Sequence, residues 1–199
     1  MTRLGWGILI GILILVGGFL SMTRLGGGAP SRPSAPVEAA PAPAAEPKGE
    51  SGALLAVPVQ GVPRDRIENN WGDAREGGSR QHHGIDIMAP AGAPVVAAAP
   101  GTIEKLFQSD AGGTTLYARS PDRRWQYYYA HLQGYAPGVR EGLAVQAGDP
   151  LGYVGDTGNA GAGNYHLHFG VSRMRPDDGW WQGKPVNPYP LLARGGADR

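Results

Sequence analysis

The sequence predicts an all-β domain, an antiparallel sheet or β-sandwich, preceded by one transmembrane helix and a disordered linker. Three observations carry this. From about residue 54 onward, short runs alternate apolar and polar residues and are separated by turn signals. No long amphipathic helix interrupts them. Composition also changes abruptly at about residues 26 and 54, from an uncharged apolar run to an Ala/Pro/Ser-rich stretch and then to strand-like texture.

Residues 1–25 are read as an N-terminal transmembrane anchor, with a cleaved signal peptide as the alternative. The stretch 4–22 carries no charge and is bracketed by Arg3 and Arg24, and a run near 20 residues can span a bilayer as a helix. Its many glycines weaken a helix in water, but lipid tolerates them. Residues 26–53 form a linker dominated by Ala, Pro and Ser. With no apolar period, it cannot bury enough surface to fold. Extended at ~3.1 Å per residue, its positions 26–51 reach at most about 80 Å.

The folded domain is expected over residues 54–192, with a flexible tail at 193–199. Strands are predicted near 57–59, 85–87, 94–98, 101–107, 114–118, 125–132, 151–154 and 166–171. Turn signals separate nearly all of them: Ala89-Pro90, Pro100-Gly101, Gly112-Gly113, Pro121-Asp122, Gly148-Asp149-Pro150 and Asp156-Thr157-Gly158-Asn159. The 33 glycines and 18 prolines fit short strands joined by many turns plus a Pro-rich linker. A formal net charge of +1 gives no basic balance to suggest nucleic acid. The absence of cysteine excludes a disulfide framework, a thiolate metal site and a cysteine nucleophile.

The chemistry concentrates in the five histidines. In His166-Leu167-His168-Phe169-Gly170-Val171, alternation sends Leu167, Phe169 and Val171 to one face as core. The two imidazoles and Gly170 go to the other face, poor material for a core and suited to a floor. In Gln81-His82-His83-Gly84-Ile85-Asp86-Ile87, Ile85 and Ile87 alternate inward and Asp86 faces away. His82 lies four residues before it, across Gly84, whose missing side chain lets the backbone turn. Two His plus one carboxylate, with a fourth position left to water, is a catalytic zinc composition. One imidazole of the later strand would complete it. The run 125–132 adds the fifth histidine, and period two places Trp125, Tyr127, Tyr129 and His131 on one face.

Gly78-x-Arg80-x-His82-His83-Gly84-Ile85-Asp86-Ile87-x-Ala89-Pro90, Tyr129-Ala130-His131-Leu132, Gly155-x-Thr157-Gly158-Asn159 and His166-Leu167-His168-Phe169 occur in this order. Together they resemble the lysostaphin/LytM-type zinc metallopeptidases of family M23, the duplicated hybrid motif domain. The resemblance extends over residues 57–192, including Pro185-Val186-Asn187-Pro188. It implies that His82, Asp86 and His168 ligate one zinc ion per chain and that His131 and His166 are the unligated catalytic pair. His83 is read as a neighbour. It further implies a substrate groove over an antiparallel sheet and peptidoglycan stem peptides or cross-bridges as substrate, with zinc-bound water as nucleophile. No His-Glu-x-x-His helix supplies a general base. His131 or His166 must therefore take the water's proton or stabilise the oxyanion.

The expected location is the cell membrane, single-pass, with the peptidase domain periplasmic or extracytoplasmic. The expected partners are peptidoglycan, the membrane and cell-wall or divisome proteins, with no nucleic acid. Tyr165, where relatives commonly carry a small residue, is expected to narrow the groove. Trp180 and Trp181 are read as packing, with a groove wall for glycan or peptide as the alternative, and Arg75 and Arg80 as solvated charge, with contact to a substrate carboxylate as the alternative. The alternative function is a catalytically silent LytM-type module that binds or activates other cell-wall hydrolases. Loss of metal ligands would mark such a module, and here all three are present. A biotin, lipoyl or phosphocarrier domain of similar fold is disfavoured, because no lysine sits at a hairpin tip and Asp86 would have no role.

Overall fold

A computed structural model describes residues 55–193 of the chain. The anchor and linker expected over residues 1–53, and nearly all of the expected tail, lie outside the described residues. Among the described residues no helix is long and apolar enough to cross a membrane.

The strands, in chain order, are β1 (Ala74–Arg75), β2 (Arg80–Gln81), β3 (Ile85–Met88), β4 (Pro94–Val96), β5 (Gly101–Ser109) and β6 (Gly113–Arg119). They continue with β7 (Trp125–Tyr135), β8 (Ala144–Val145), β9 (Pro150–Val154), β10 (His166–Arg173) and β11 (Lys184–Val186), and one short helix, α1 (Tyr189–Ala193), closes the domain. Of the two all-β layouts open from sequence, the chain adopts one continuous nine-stranded antiparallel sheet, with β1 and β2 as a separate two-stranded ribbon. The sheet runs β11-β10-β7-β6-β5-β8. It branches where β3 pairs with β10 and where β9 pairs with both β4 and β7.

β10 explains much of this arrangement. It pairs with β3, β7 and β11, so its inward side chains meet several elements at once. Leu167, Phe169 and Val171 are buried as their alternation requires, beside Ile85, Ile87, Tyr129 and Leu132. Burying each such side chain contributes roughly 1.5–3 kcal/mol. Tyr129 packs against Phe169 with the rings tilted and 5.3 Å between centroids, and its hydroxyl accepts a hydrogen bond from the Ala98 N–H at 2.9 Å.

Alternation misplaces one predicted residue. Period two puts His131 on the face of Tyr127 and Tyr129, yet those tyrosines are core and His131 lines the cavity on the other side of the sheet. The cause is a backbone φ of +60° at His131. This left-handed conformation, uncommon outside glycine, reverses the side chain's direction. The register of β7 against both β6 and β9 shifts nearby.

Candidate metal centre

Antiparallel pairing sets Asp86 of β3 directly opposite His168 of β10, which in turn faces Ala130 of β7. Both acidic and imidazole groups thus stand on the open face of the sheet. Just before β3 the chain passes Gly84, where a Cβ would lie 2.6 Å from His168 Nε2. Only glycine lets the two strands approach with that ring between them. The same bend brings His82, almost fully buried, against both residues.

The three ligand-type atoms make a tight triangle. His82 Nε2 is 3.0 Å from Asp86 Oδ1, His168 Nδ1 is 3.0 Å from the same oxygen, and the two imidazole nitrogens are 2.9 Å apart. Asn70 supplies the outer support: its carbonyl oxygen lies 2.8 Å from His82 Nδ1, and its side-chain oxygen accepts from the Asp86 N–H at 3.0 Å. An imidazole nitrogen that close to a carbonyl carries the proton, so His82 Nε2 presents a lone pair to the triangle. Neutral His168 can place at most one proton on its Nδ1, so the triangle holds at most one proton for three short edges. Such a convergence of lone pairs fits a cation, and N/N/O donors at this spacing suit a transition metal.

Two further imidazoles flank the triangle. His166 Nδ1 lies 2.8 Å from the Asn164 carbonyl oxygen, and His131 Nδ1 lies 2.8 Å from that of Thr157. Each donates its Nδ1–H there, leaving Nε2 as acceptor, the same tautomer as His82. Their rings are 4.8 Å apart, and His166 Nε2 is 3.8 Å from Asp86 Oδ1. Burial pushes His131 down to about 4, the Thr157 carbonyl opposing this and the neighbouring His166 and His168 adding to it. His168 is pushed down by burial as well. Burial alone would raise Asp86, but close contact with His168 and His82 outweighs it and holds the carboxyl well below its usual range. These groups surround a cavity of about 250 Å³.

All five sequence-predicted site residues therefore meet around one cavity: His82, Asp86, His131, His166 and His168. His83 stays out of the triangle and rests against Trp71, with 5.7 Å between ring centroids. Tyr165 is exposed and is not among the residues lining this cavity. Arg75 corrects the expectation of a solvated charge. Its Nη2 donates to Asp86 Oδ2 at 2.7 Å and lies 3.0 Å from His82 Nδ1. Tyr128, unremarked as a site residue in the sequence, forms part of the floor, its ring 5.8 Å from that of His168.

An antiparallel sheet with a His/Asp/His cluster on its open face and two further imidazoles beside it has the makings of a metal-dependent hydrolase. The chain belongs to peptidase family M23, whose sequence profile matches residues 80–188. It is 35% identical over 130 residues to the L-Ala--D-Glu endopeptidase of Bacillus subtilis, covering 62% of this chain and 38% of that protein. It is 31% identical over 111 residues to the peptidoglycan DD-endopeptidase ShyC of Vibrio cholerae, covering 54% and 25%. The catalytic domain of the antimicrobial peptidase lysostaphin from Staphylococcus simulans superposes with a TM-score of 0.51 at 27% identity, covering 65% of this chain and 94% of that one. The chain thus spans less than half the length of these two curated relatives.

Proposed function

We propose that the protein is a zinc metalloendopeptidase that hydrolyses peptide bonds in the stem peptides or cross-bridges of peptidoglycan. The observation that carries this is the proton-poor triangle of His82, Asp86 and His168 beside two imidazoles whose Nε2 lone pairs remain available. The names of the relatives, two of them endopeptidases and one a peptidoglycan enzyme, support the substrate class.

In this reading His82 Nε2, Asp86 Oδ1 and His168 Nδ1 hold the metal, and Arg75 fixes the outer carboxylate oxygen. Zinc, when bound, supplies Lewis acidity that polarises the scissile carbonyl and acidifies water. The protein's residues handle the proton. His131, which burial keeps neutral at pH 7, presents its Nε2 lone pair to a proton, as does His166. One of the pair takes the proton of the attacking water and returns it to the leaving amine. The other can donate a hydrogen bond to the developing oxyanion only if its Nε2 has already taken a second proton from solvent, which it keeps through the step. In the same reading residues 1–25 anchor the chain in the cell membrane, and the linker lets the domain work in the periplasmic or extracytoplasmic space.

The test incubates the whole 199-residue chain and one equivalent of zinc with purified peptidoglycan, and mass spectrometry identifies the soluble fragments. Wild type should release cut peptides, and Asp86→Ala should bind no zinc and release none. His131→Ala and His166→Ala should each keep zinc and lose about 10²–10⁴-fold in rate. A zinc-loaded wild type that cuts no peptide would sink the enzyme and favour the binding or activator module.

A further inference from the structure

The floor of the groove continues past the metal centre. On β10, Gly170 and Ser172 follow His168 on the open face, opposite Tyr128 and Gln126 of β7, and Tyr117 of β6 lies beside Tyr128. A second cavity, of about 360 Å³, stands over this stretch and shares Arg80, Tyr128 and His168 with the first. At ~3.3 Å per residue, Ser172 lies about 13 Å from His168. The far wall is the connection between β10 and β11, which carries Trp180 and Trp181. Trp180 packs on Phe107 and Tyr117, each at 5.1 Å. Trp181 meets Trp180 edge-on at 5.7 Å and is 70% exposed.

That wall is held from beneath. Arg119, buried, donates to both oxygens of Glu104 at 2.8 and 3.1 Å and reaches the Asp178 carbonyl at 3.1 Å. Arg123 Nε donates to the Pro176 carbonyl at 3.1 Å, and Gln126 Nε2 to that of Trp180 at 2.8 Å. Three side chains from the sheet and the β6–β7 turn thus fix three carbonyls of one connection. An exposed indole on such a support is a presented surface, with its ordering cost already met in the free protein.

The lining narrows the ligand class. Tyr117, Tyr128, Trp180 and Trp181 supply aromatic surface, Ser172 and Gln182 supply neutral hydrogen-bonding groups, Arg80, His83 and His168 border the end toward the metal centre, and no carboxylate lines the cavity. An aromatic face is electron-rich and attracts the polarised C–H bonds on the apolar face of a pyranose, while hydroxyl and amide groups meet the sugar's rim. An extended peptide would gain little main-chain pairing here, because β7 and β10 are both interior strands of the sheet.

We propose that this second cavity is a subsite for an N-acetylhexosamine ring of a glycan strand, stacked against Trp181. The proposal rests on the peptidoglycan reading, in which the peptide to be cut hangs from such a strand.

The experiment titrates the whole, zinc-free chain with a tetramer of N-acetylglucosamine, followed by indole fluorescence and calorimetry. Saturable binding is expected, and Trp181→Ala should weaken it about tenfold, a stacking contribution near the upper end for aromatic contacts. Gly179→Ala is the second variant. A Cβ there lies 2.7 Å from the Trp181 ring, so it should displace the indole without removing it and weaken binding too. Absence of saturable binding, or equal binding by wild type and Trp181→Ala, overturns the proposal. So does a sugar-free stem peptide that perturbs Trp181 where the tetramer does not. Glycan binding by a zinc-loaded wild type that cuts no peptidoglycan supports the subsite and removes the peptidase reading alone.

Discussion

Asp86 divides its two oxygens between different tasks. Oδ1 faces His82 and His168 in the triangle, while Oδ2 receives the guanidinium of Arg75. A carboxylate held on its outer oxygen by a charge-assisted bond cannot rotate, so the inner oxygen is presented at one place and in one orientation. Arg75→Ala should therefore weaken zinc binding by about 10–100-fold, the usual effect of removing an outer partner of a metal ligand. Chelator competition would measure it, and unchanged affinity would return Arg75 to the role of surface charge. The His-x-His strand and the His-x-x-x-Asp turn were legible in the sequence because alternation and a short turn place their side chains. Arg75 was not legible in this way. Its contact with Asp86 depends on the β1–β2 ribbon folding over the site, and no local period reports that.

Between elements, the decisive contact is backbone on backbone. Gly113 opens β6 and Gly158 lies in the turn after β9, both with φ near +70°. A Cβ on Gly158 would lie 2.3 Å from Gly113 N, and one on Gly113 would lie 2.5 Å from Gly158 N. This approach seats Thr157. Its hydroxyl donates to the Leu132 carbonyl and accepts from the Thr114 N–H, and its own carbonyl holds His131 Nδ1. Gly158→Ala combines an unfavourable φ with a clash against rigid backbone. It should cost about 1–3 kcal/mol in stability and lower peptidase activity more than zinc affinity, because His131 moves while the triangle does not. Thermal unfolding with parallel rate and zinc measurements checks both halves. The Gly155-x-Thr157-Gly158-Asn159 run was visible as a turn and as part of a resemblance. Gly113 was visible as half of the Gly112-Gly113 turn signal, but its approach to Gly158, and the left-handed backbone that turns His131 to the groove, were not, since a positive φ at a histidine leaves no trace in an apolar pattern.

For the whole molecule, gathering four imidazoles and a carboxylate on one buried face ties stability to protons. His131 falls from the ordinary histidine value of 6.5 to about 4 on folding, and His168 is lowered as well. Between those pH values the unfolded chain binds protons that the folded chain refuses, so acid favours unfolding. The neutral-histidine contribution is complete above about pH 6.5 and is lost as pH falls toward 4. Asp86, held below its usual range, adds a further loss under more acidic conditions, where the unfolded carboxylate takes up a proton first. Denaturant unfolding of the zinc-free chain should thus show stability declining from pH 6.5 to 4. In His131→Gln the decline should be shallower but still present, because His168 continues to contribute. An identical slope in the two proteins would mean that His131 is as readily protonated in the folded chain as in the unfolded one. It would then be largely neutral at pH 7 and a stronger acceptor for the proton of the attacking water than burial would leave it.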